Sequence, residues 1–356
     1  MDTNIVELVQ LLHEARECKN IEEIRIKMGE ARSMVEFLDP VSIRQLIISE
    51  EGYDSNFIRR LILEDIQQIV ESRTKERAVY YINRFVKSIT SQQFSKLNDI
   101  DLNKWKLYQD ILTDSLWIFG KRDSSGDHNA DYWGNFIPQI PNQLIRRYTK
   151  KGDVVVDGFL GSGTTLIECK KLGRSCIGIE LSQKAADIAK EKNSPEDEDK
   201  KLFQEVVVGD SQSVDISRIL SDHGKKDAKL IILHPPYWDI IKFSSAQNDL
   251  SNAADEESFL KMMENVVRNL SKHLERDRYL AVVIGDKYSA GTWIPLGFHT
   301  MDRITSLGFR LKSIVVKNFD RTRAKREEKD LWRYRALRGG FYVFKHEYIF
   351  IFQKSG

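Results

Sequence analysis

Two short segments of this 356-residue chain have residue types and spacings that suit chemistry. The first is Asp157-Gly-Phe-Leu-Gly-Ser-Gly-Thr-Thr165, which follows the apolar run Val154–Val156. The second is His234-Pro-Pro-Tyr237, which follows Leu230–Leu233. Short unbroken apolar runs are typical of strands buried on both faces of a parallel sheet. Because ligands of such sheets bind at the carboxyl ends of the strands, the two segments are expected to form one site.

The glycine-containing segment predicts a ligand held close to the backbone. Gly161 and Gly163 allow a sharp turn, and a helix is predicted to begin near Thr164. A triphosphate-binding loop would need lysine where Thr164 stands, and a dinucleotide fingerprint would need glycine where Leu166 stands. Both of these ligands are disfavoured, and a plain tight turn between strand and helix is the structural alternative.

Acidic residues at the ends of the next two predicted strands favour S-adenosylmethionine as the ligand. Glu180 can accept hydrogen bonds from both ribose hydroxyls, and Asp210 can accept from the adenine amino group. A single acid at a strand end is more often a solvated or capping residue, but two in register with the glycine turn indicate a shared ligand. The predicted cofactor-binding residues are Asp157, Phe159, Gly161, Ser162, Gly163, Thr164, Glu180, Leu181, Asp210 and Ser211.

The second segment suits methylation of an aromatic amine, whose delocalised lone pair is a poor nucleophile. Pro235 and Pro236 form a rigid turn without N–H donors, and their carbonyls stay free as acceptors. Acceptors from a side chain and a carbonyl can hold both amine hydrogens, so that the lone pair attacks the sulfonium methyl in line. Tyr237 offers a stacking face for a flat base. The predicted catalytic residues are His234, Pro235, Pro236 and Tyr237, and a purely structural turn is the alternative.

Together these segments resemble the amino-methylating DNA methyltransferases, the family that makes N6-methyladenine or N4-methylcytosine. Asp157–Thr165 is similar to the family's cofactor loop, DPFxGSGTT, with Gly158 in place of proline, and His234–Tyr237 is similar to its [DNS]PP[YF]. Ile140–Ile145 resembles the family's helix over the methionine part of the cofactor, and Glu347–Lys354 resembles its last strand. The resemblance covers roughly residues 130–354, in the segment order of the gamma group.

The resemblance implies a site-specific enzyme of the restriction-modification type that flips its target base out of double-stranded DNA. It implies S-adenosylmethionine as the cofactor, without a metal or a covalent nucleophile. Neither Cys169 nor Cys176 follows a proline, as methylation of a cytosine ring carbon would require. Two alternatives stay open: an RNA base-amine methyltransferase with the same chemistry, and an inactive nucleic-acid adaptor that binds the cofactor.

One residue departs from the family's pattern. His234 stands where the family has Asp, Asn or Ser, so the target base stays open between adenine and cytosine. A neutral imidazole can accept one hydrogen bond, and a protonated one cannot. With an ordinary histidine pKa, activity is therefore expected to fall below about pH 6.5. An inactive domain is the alternative interpretation of this substitution.

The segment Lys317–Lys345 is the most basic part of the chain, with ten Lys or Arg against four Asp or Glu and with interleaved aromatic residues. Since the formal net charge of the whole chain is only +2, a nucleic-acid role must depend on such local charge. A solvated surface is the alternative. Ile240–Asn252 is predicted to be a loop that can close over the base, and Asp286 to cap a turn or contact substrate. The predicted nucleic-acid-binding residues are Trp238, Arg321, Arg323, Lys325, Arg326, Arg333, Arg335 and Arg338.

The pattern predicts three parts of the chain. Residues 1–118 have helical spacing of apolar residues, 119–134 form a polar linker, and 135–356 form the methyltransferase domain. Alternation of strands and helices predicts an α/β, doubly wound, mostly parallel seven-stranded sheet, a Rossmann-like class I methyltransferase fold. The predicted strands are 153–157, 175–179, 205–209, 229–233, 279–284, 311–317 and 347–353.

The helical region carries no motif, and DNA recognition, dimerisation and support of the other domain are its alternative roles. A homodimer is accordingly one expected partner arrangement. The three cysteines lack metal-site spacing and are expected to be free thiols of a reducing compartment. No signal-peptide pattern or long apolar run is apparent in the sequence, so a cytoplasmic location is expected.

Overall fold

The computed structural model describes residues 3–46, 53–125, 128, 134–192, 202–319 and 329–355. The chain divides into two compact units, Met1–Asp110 and Ile111–Gly356. This division comes before the expected end of the helical region at residue 118, because residues 116 and 117 form a strand in the sheet of the second unit.

The first unit is built of amphipathic helices around its own core. Polar side chains begin three of them: Asn20, Asp54 and Thr74 each accept a hydrogen bond from a backbone N–H of the first turn. Leu8, Met28 and Ile58 are fully buried between the helices. The helices are α1 (Thr3–Glu17), α2 (Ile21–Phe37), α3 (Pro40–Leu46), α4 (Ser55–Val70) and α5 (Lys75–Thr90), followed by a 3-10 turn at Leu102–Leu107.

The second unit alternates strands and helices along most of its length. Its first half contains β1 (Leu116–Trp117), α6 (Gln139–Tyr148), β2 (Val154–Asp157), α7 (Thr164–Lys171), β3 (Ser175–Glu180), α8 (Gln183–Lys192), β4 (Gln204–Val208), α9 (Ser217–Asp222) and β5 (Ala228–Leu233). Its second half contains α10 (Glu256–Leu270), β6 (Leu274–Ile284), β7 (Lys287–Ser289), β8 (Thr292–Ile294), α11 (Leu296–Thr305), β9 (Phe309–Asn318), α12 (Lys329–Gly339) and β10 (His346–Lys354).

The strands form one twisted sheet in the order β1-β9-β10-β6-β5-β2-β3-β4, with β7 and β8 as a separate hairpin. The β6-β5-β2-β3-β4 portion is parallel, and β10 runs antiparallel between β6 and β9. The predicted α/β, doubly wound fold is confirmed, and each of the seven predicted strands is present. The sequence missed β1, because two residues are too few to show a period.

Burial on both faces explains the unbroken apolar runs. Val154 and Val156 belong to the core on one face of the sheet, and Val155 belongs to the core on the other. The residues of β5 alternate in the same way, with Ile231 and Leu233 on the first face. Helices therefore cover both sides, which leaves the strand ends as the exposed edge where loops can build a site.

Register brings the two sequence segments together. Asp157 pairs with Ile232 across the parallel β2–β5 ladder, two residues before His234. Glu180 pairs with Val208, two residues before Asp210. The glycine turn, both acids and the Pro-Pro turn therefore leave the sheet at one edge.

The described part of the predicted linker 119–134 is bonded to the second unit. Arg122 Nη1 donates to the Phe136 carbonyl at 2.9 Å, and Gln139 Nε2 donates to the Lys121 carbonyl at 2.7 Å. The buried His128 lies 2.6 Å from Glu168 of α7.

Among the described helices, none has both the length and the apolar character needed to cross a membrane.

Candidate active site

A cavity of about 940 Å³ lies at this edge of the sheet. Residues from each loop that the sequence singled out line it: Gly158–Gly161 after β2, Glu180–Ser182 after β3, Gly209–Ser211 after β4 and His234–Tyr237 after β5. Its volume falls within the usual range for a cofactor-sized pocket.

Asp157 supports the glycine turn from inside the protein. Its side chain is fully buried; Oδ2 accepts from the Thr165 hydroxyl at 2.5 Å, and Oδ1 accepts from the Phe159 N–H at 2.9 Å. Burial raises the pKa of Asp157 to about 6. Gly161 and Gly163 have φ values of 56° and 91°, in the left-handed region that favours glycine.

The predicted cofactor residues therefore divide into two groups. Asp157, Ser162, Gly163 and Thr164 are buried or turn-forming and do not line the cavity, so they shape the turn. Those that line it are Phe159, Gly161, Glu180, Leu181, Asp210 and Ser211.

The two strand-end acids are fixed by backbone donors. Glu180 accepts from the N–H groups of Gly161 and Ser182, both at 2.8 Å, and burial raises its pKa. Asp210 accepts from the Gln212 N–H at 2.9 Å and from the Asn248 side chain at 3.0 Å. Asp210 Oδ2 also accepts from Gln212 Nε2 at 3.4 Å. A carboxylate has about four lone-pair sites, so both acids can still accept from a ligand in the cavity.

Gly158, which replaces the family's proline, makes a hydrogen bond that proline could not make. Its N–H donates to the Ile232 carbonyl at 3.1 Å and so extends the β2–β5 ladder. A Cβ at this position would lie 2.6 Å from Leu233, so the β5 side chains occupy the space of a larger residue.

His234 lies in the cavity wall, stacked on Phe136 with ring centroids 4.9 Å apart. Burial lowers the pKa of His234 to about 4, against the opposing effect of the Glu347 carboxylate. The expectation of an ordinary pKa near 6.5 was therefore wrong, and the imidazole is neutral at physiological pH.

Tyr237 is held by a buried ion pair. Its hydroxyl donates to Glu347 Oε2 at 2.6 Å, and Glu347 Oε1 lies 3.1 Å from Lys317 Nζ. Burial, with the adjacent Glu347 carboxylate, raises the pKa of Tyr237 well above its usual range. Gly285 lets the Tyr237 ring pack closely, since a Cβ there would lie 2.8 Å from the ring.

Trp238 and Asp286, which the sequence also singled out, contact other parts of the protein. Trp238 Nε1 donates to the Ala253 carbonyl at 2.9 Å, and Lys287 Nζ lies 3.7 Å from the centroid of its ring. Trp238 is not among the residues that line the cavity, whereas Tyr237 is. Asp286 accepts from the N–H of Gly297 in the first turn of α11 and from Trp293 Nε1, each at 3.0 Å, so it fixes a helix start.

The loop after the Pro-Pro turn forms part of the cavity wall. Ile240, Phe243 and Asn248 line the cavity, and Asn248 bonds Asp210 as described above. This contact joins the expected base-covering loop to the expected adenine-binding acid.

The basic segment is only partly described. Arg321, Arg323, Lys325 and Arg326 lie outside the described residues. Arg333, Arg335 and Arg338 are exposed on α12, and the Arg335 guanidinium lies 5.2 Å from the centroid of Trp332. Aromatic residues on this helix and after it line the cavity: Trp332, Phe341, Tyr342 and Phe344, with Tyr288 stacked on Phe341 at 4.2 Å.

Sequence reasoning missed two contributors to the wall, the segment 134–137 and Arg122. The resemblance placed the cofactor cover at 140–145, but the lining residues lie just before it, at 134–137. Asn135 Nδ2 donates to Ser162 at 2.6 Å, which ties this segment to the glycine turn. Arg122 also lines the cavity, and burial lowers its pKa. Among the described residues Arg122 has no carboxylate partner, and no motif marked it.

Comparison with known proteins gives matches to DNA methylases. Residues 18–191 and 228–356 match the family described as DNA methylase. The type II methyltransferase M.MjaII of Methanocaldococcus jannaschii is 45% identical over 51 residues, 14% of this chain and 10% of that protein. The type II methyltransferase M.BamHI of Bacillus amyloliquefaciens is 45% identical over 98 residues, 27% of this chain and 22% of that protein.

The match with the curated relatives thus covers a minor part of their length, 10%, 35% and 22% for the first three. Among solved structures, TrmN from Thermus thermophilus aligns with a TM-score of 0.40 and 15% identity, over 62% of this chain and 50% of that chain.

We expect Asp157→Ala to weaken binding of S-adenosylhomocysteine at least about a hundredfold, because the turn loses two internal hydrogen bonds, both of them to the buried Asp157 carboxylate. Thr165→Val removes only the hydroxyl contact and should weaken binding roughly tenfold. Isothermal titration calorimetry measures both, with thermal unfolding as the control for folding. Binding by Asp157→Ala equal to that of the unaltered protein would show that the turn does not depend on this carboxylate.

Proposed function

The chain belongs to the DNA methylase family, the amino-methylating DNA methyltransferases, and on this premise we propose that it methylates an exocyclic base amine of DNA. The amine is adenine N6 or cytosine N4, and S-adenosylmethionine is the methyl donor. The observation that carries the proposal is that one cavity is lined by both the glycine turn and the His234–Tyr237 segment. A cofactor on the first and a base on the second would lie within this one cavity.

The residues present fit S-adenosylmethionine. Glu180 suits the ribose hydroxyls and Asp210 suits the adenine amino group, because both residues line the cavity and keep acceptor capacity. Gly161 lets the backbone approach the ligand. When bound, S-adenosylmethionine supplies an electrophilic methyl group on its sulfonium.

The Pro-Pro turn would orient the amine. Neutral His234 accepts one amine N–H, and a carbonyl of Pro235 or Pro236 accepts the other, which directs the nitrogen lone pair into the cavity. Tyr237 provides an aromatic surface for the base. Methyl transfer would form the N–C bond as the sulfonium S–C bond breaks, with S-adenosylhomocysteine as the leaving group, and the nitrogen must then lose one proton. His234 can take this proton because a protonated aromatic amine is far more acidic than imidazolium.

The exposed arginines of α12 would contact the DNA backbone. Arg333, Arg335 and Arg338 lie on one short helix, next to the aromatic residues that line the cavity. Phosphate contacts beside stacking surfaces are what a base-flipping enzyme needs at the mouth of its pocket. The proposed partner is therefore double-stranded DNA.

Some aspects of the proposal come from the sequence alone. We infer a restriction-modification role and a cytoplasmic location. The Met1–Asp110 unit is proposed to recognise DNA, to dimerise or to support the second unit. A homodimer stays a prediction, and sedimentation velocity tests it.

The proposal is tested by tritiated methyl transfer from S-adenosylmethionine to unmethylated bacterial DNA, followed by nucleoside chromatography. Label in N6-methyldeoxyadenosine or N4-methyldeoxycytidine is the expected result, and it identifies the base. Parallel reactions with structured RNA of matched concentration separate the RNA alternative. Label in RNA only, or no label in either with the cofactor bound, would contradict the proposal.

We expect the rate of methyl transfer at saturating substrate to stay constant from about pH 7 to pH 5 and to fall toward pH 4. His234 accepts only when it is neutral, and its pKa in the folded protein is about 4. Because the pKa of His234 is lowered only in the folded state, the unfolded state binds more protons than the folded state between about pH 6.5 and 4. Stability is therefore lost as the pH falls through that window, by roughly 3 kcal/mol at most.

His234→Asn is the matched control, since asparagine accepts at the same position and does not titrate. The variant should lack both the acid fall in rate and this part of the stability loss, as measured by urea unfolding at each pH. A rate that halves near pH 6.5 in the unaltered protein would contradict the lowered pKa.

We expect Arg122→Gln to weaken S-adenosylhomocysteine binding about tenfold or more and to leave 5'-methylthioadenosine binding unchanged. The first ligand has a carboxylate and the second does not, and Arg122 is a cation in the cavity wall without a protein carboxylate among the described residues. Calorimetry with both ligands measures the difference. Equal weakening of both would show that Arg122 only supports the Phe136 segment.

A further inference from the structure

We propose that Lys317, Glu347 and Tyr237 fix the tautomer of His234, with the proton on Nε2, so that Nδ1 is the nitrogen that accepts from the substrate amine. The identity of what Nδ1 binds depends on the proposed function. The position of the proton is a property of the protein alone.

The first step is the ion pair. Lys317 Nζ lies 3.1 Å from Glu347 Oε1, and both side chains are at most 10% exposed. At this distance the ammonium and the carboxylate form a buried ion pair, since either charge alone would be costly to bury. An ionised carboxylate can only accept hydrogen bonds.

The second step is the tyrosine. The Tyr237 hydroxyl has one hydrogen, and at 2.6 Å from Glu347 Oε2 it donates that hydrogen to the carboxylate. Toward any other neighbour, Tyr237 Oη can therefore only accept. Its position is fixed by packing on Gly285 as well as by the hydrogen bond.

The third step is the imidazole. His234 Nε2 lies 3.4 Å from Tyr237 Oη. A protonated Nε2 can donate across this distance, whereas the other tautomer would place two lone pairs opposite each other in a desolvated site. Stacking of His234 on Phe136 keeps the ring in this orientation.

The consequence lies at the other ring nitrogen. With hydrogen on Nε2, the lone pair is on Nδ1, which has no hydrogen bond to any described residue. The opposite tautomer would present N–H to the amine N–H and repel it. A carboxylate or amide at this position has an acceptor oxygen whatever its neighbours are. A histidine accepts only in the correct tautomer, so Glu347 and Tyr237 are positioning residues here.

The test is nitrogen-15 NMR of the protein labelled at histidine, at pH 7 and without cofactor or DNA. Lone-pair and N–H nitrogens of imidazole have well-separated shifts, and comparison with His234→Asn assigns this residue among the seven histidines. The expected result is N–H character at Nε2 and lone-pair character at Nδ1. The Nδ1–H tautomer in the unaltered protein would overturn the proposal, whether or not the protein methylates DNA.

Tyr237→Phe supplies the second measurement. The variant keeps the ring and loses the hydroxyl, so the two tautomers should become mixed and kcat should fall about tenfold with KM for DNA unchanged, the loss expected of one neutral hydrogen bond. Tyr279→Phe is the matched control, because that tyrosine packs on Tyr148 and does not line the cavity. An unchanged Nε2–H signal in a folded Tyr237→Phe protein would also contradict the proposal. If the unaltered protein showed no methyl transfer to DNA, that result would instead contradict the proposed function.

Discussion

The site depends on the parallel pairing of β2 with β5. This register places Asp157 beside Ile232, and the Gly158 N–H bond to the Ile232 carbonyl carries the ladder into the loops. A slip of one residue would turn the side chains of either strand to the opposite face and separate the glycine turn from the Pro-Pro turn. Gly158, where the family has proline, is compatible with this arrangement because it provides the N–H and leaves space for Leu233.

Desolvation gives the cavity its chemical character. The same burial raises the pKa of Asp157 to about 6 and lowers that of His234 to about 4, so it disfavours the charged form of each group. Glu347 is buried together with Lys317, and the two charges compensate each other. A neutral acceptor beside a compensated carboxylate is well suited to an amine that must keep its lone pair. Under the proposed function, this environment lets histidine act where the family has an acidic or amide residue.

The fold could be predicted because its strands are buried on both faces and appear as unbroken apolar runs. β1 and the β7–β8 hairpin could not, since strands of two or three residues have no readable period. The sequence located the glycine turn but not the direction of its side chains, so Asp157 was expected to contact a cofactor and is instead buried, bonded to the turn itself. Glu347 stood within a quoted strand, yet its contact with Tyr237 spans 110 positions and depends on the order of the sheet. The His234 pKa likewise depends on burial, which composition cannot give.

The central claim is that His234 works as a neutral hydrogen-bond acceptor, and single-turnover methyl transfer with variants of this residue tests it most directly. His234→Asn keeps an acceptor at the site, and the account predicts a transfer rate within about tenfold of the unaltered enzyme. His234→Leu has similar bulk without an acceptor, and the predicted loss is at least about a hundredfold. Transfer by His234→Leu at the rate of the unaltered enzyme, with the cofactor and DNA bound equally well, would contradict the account.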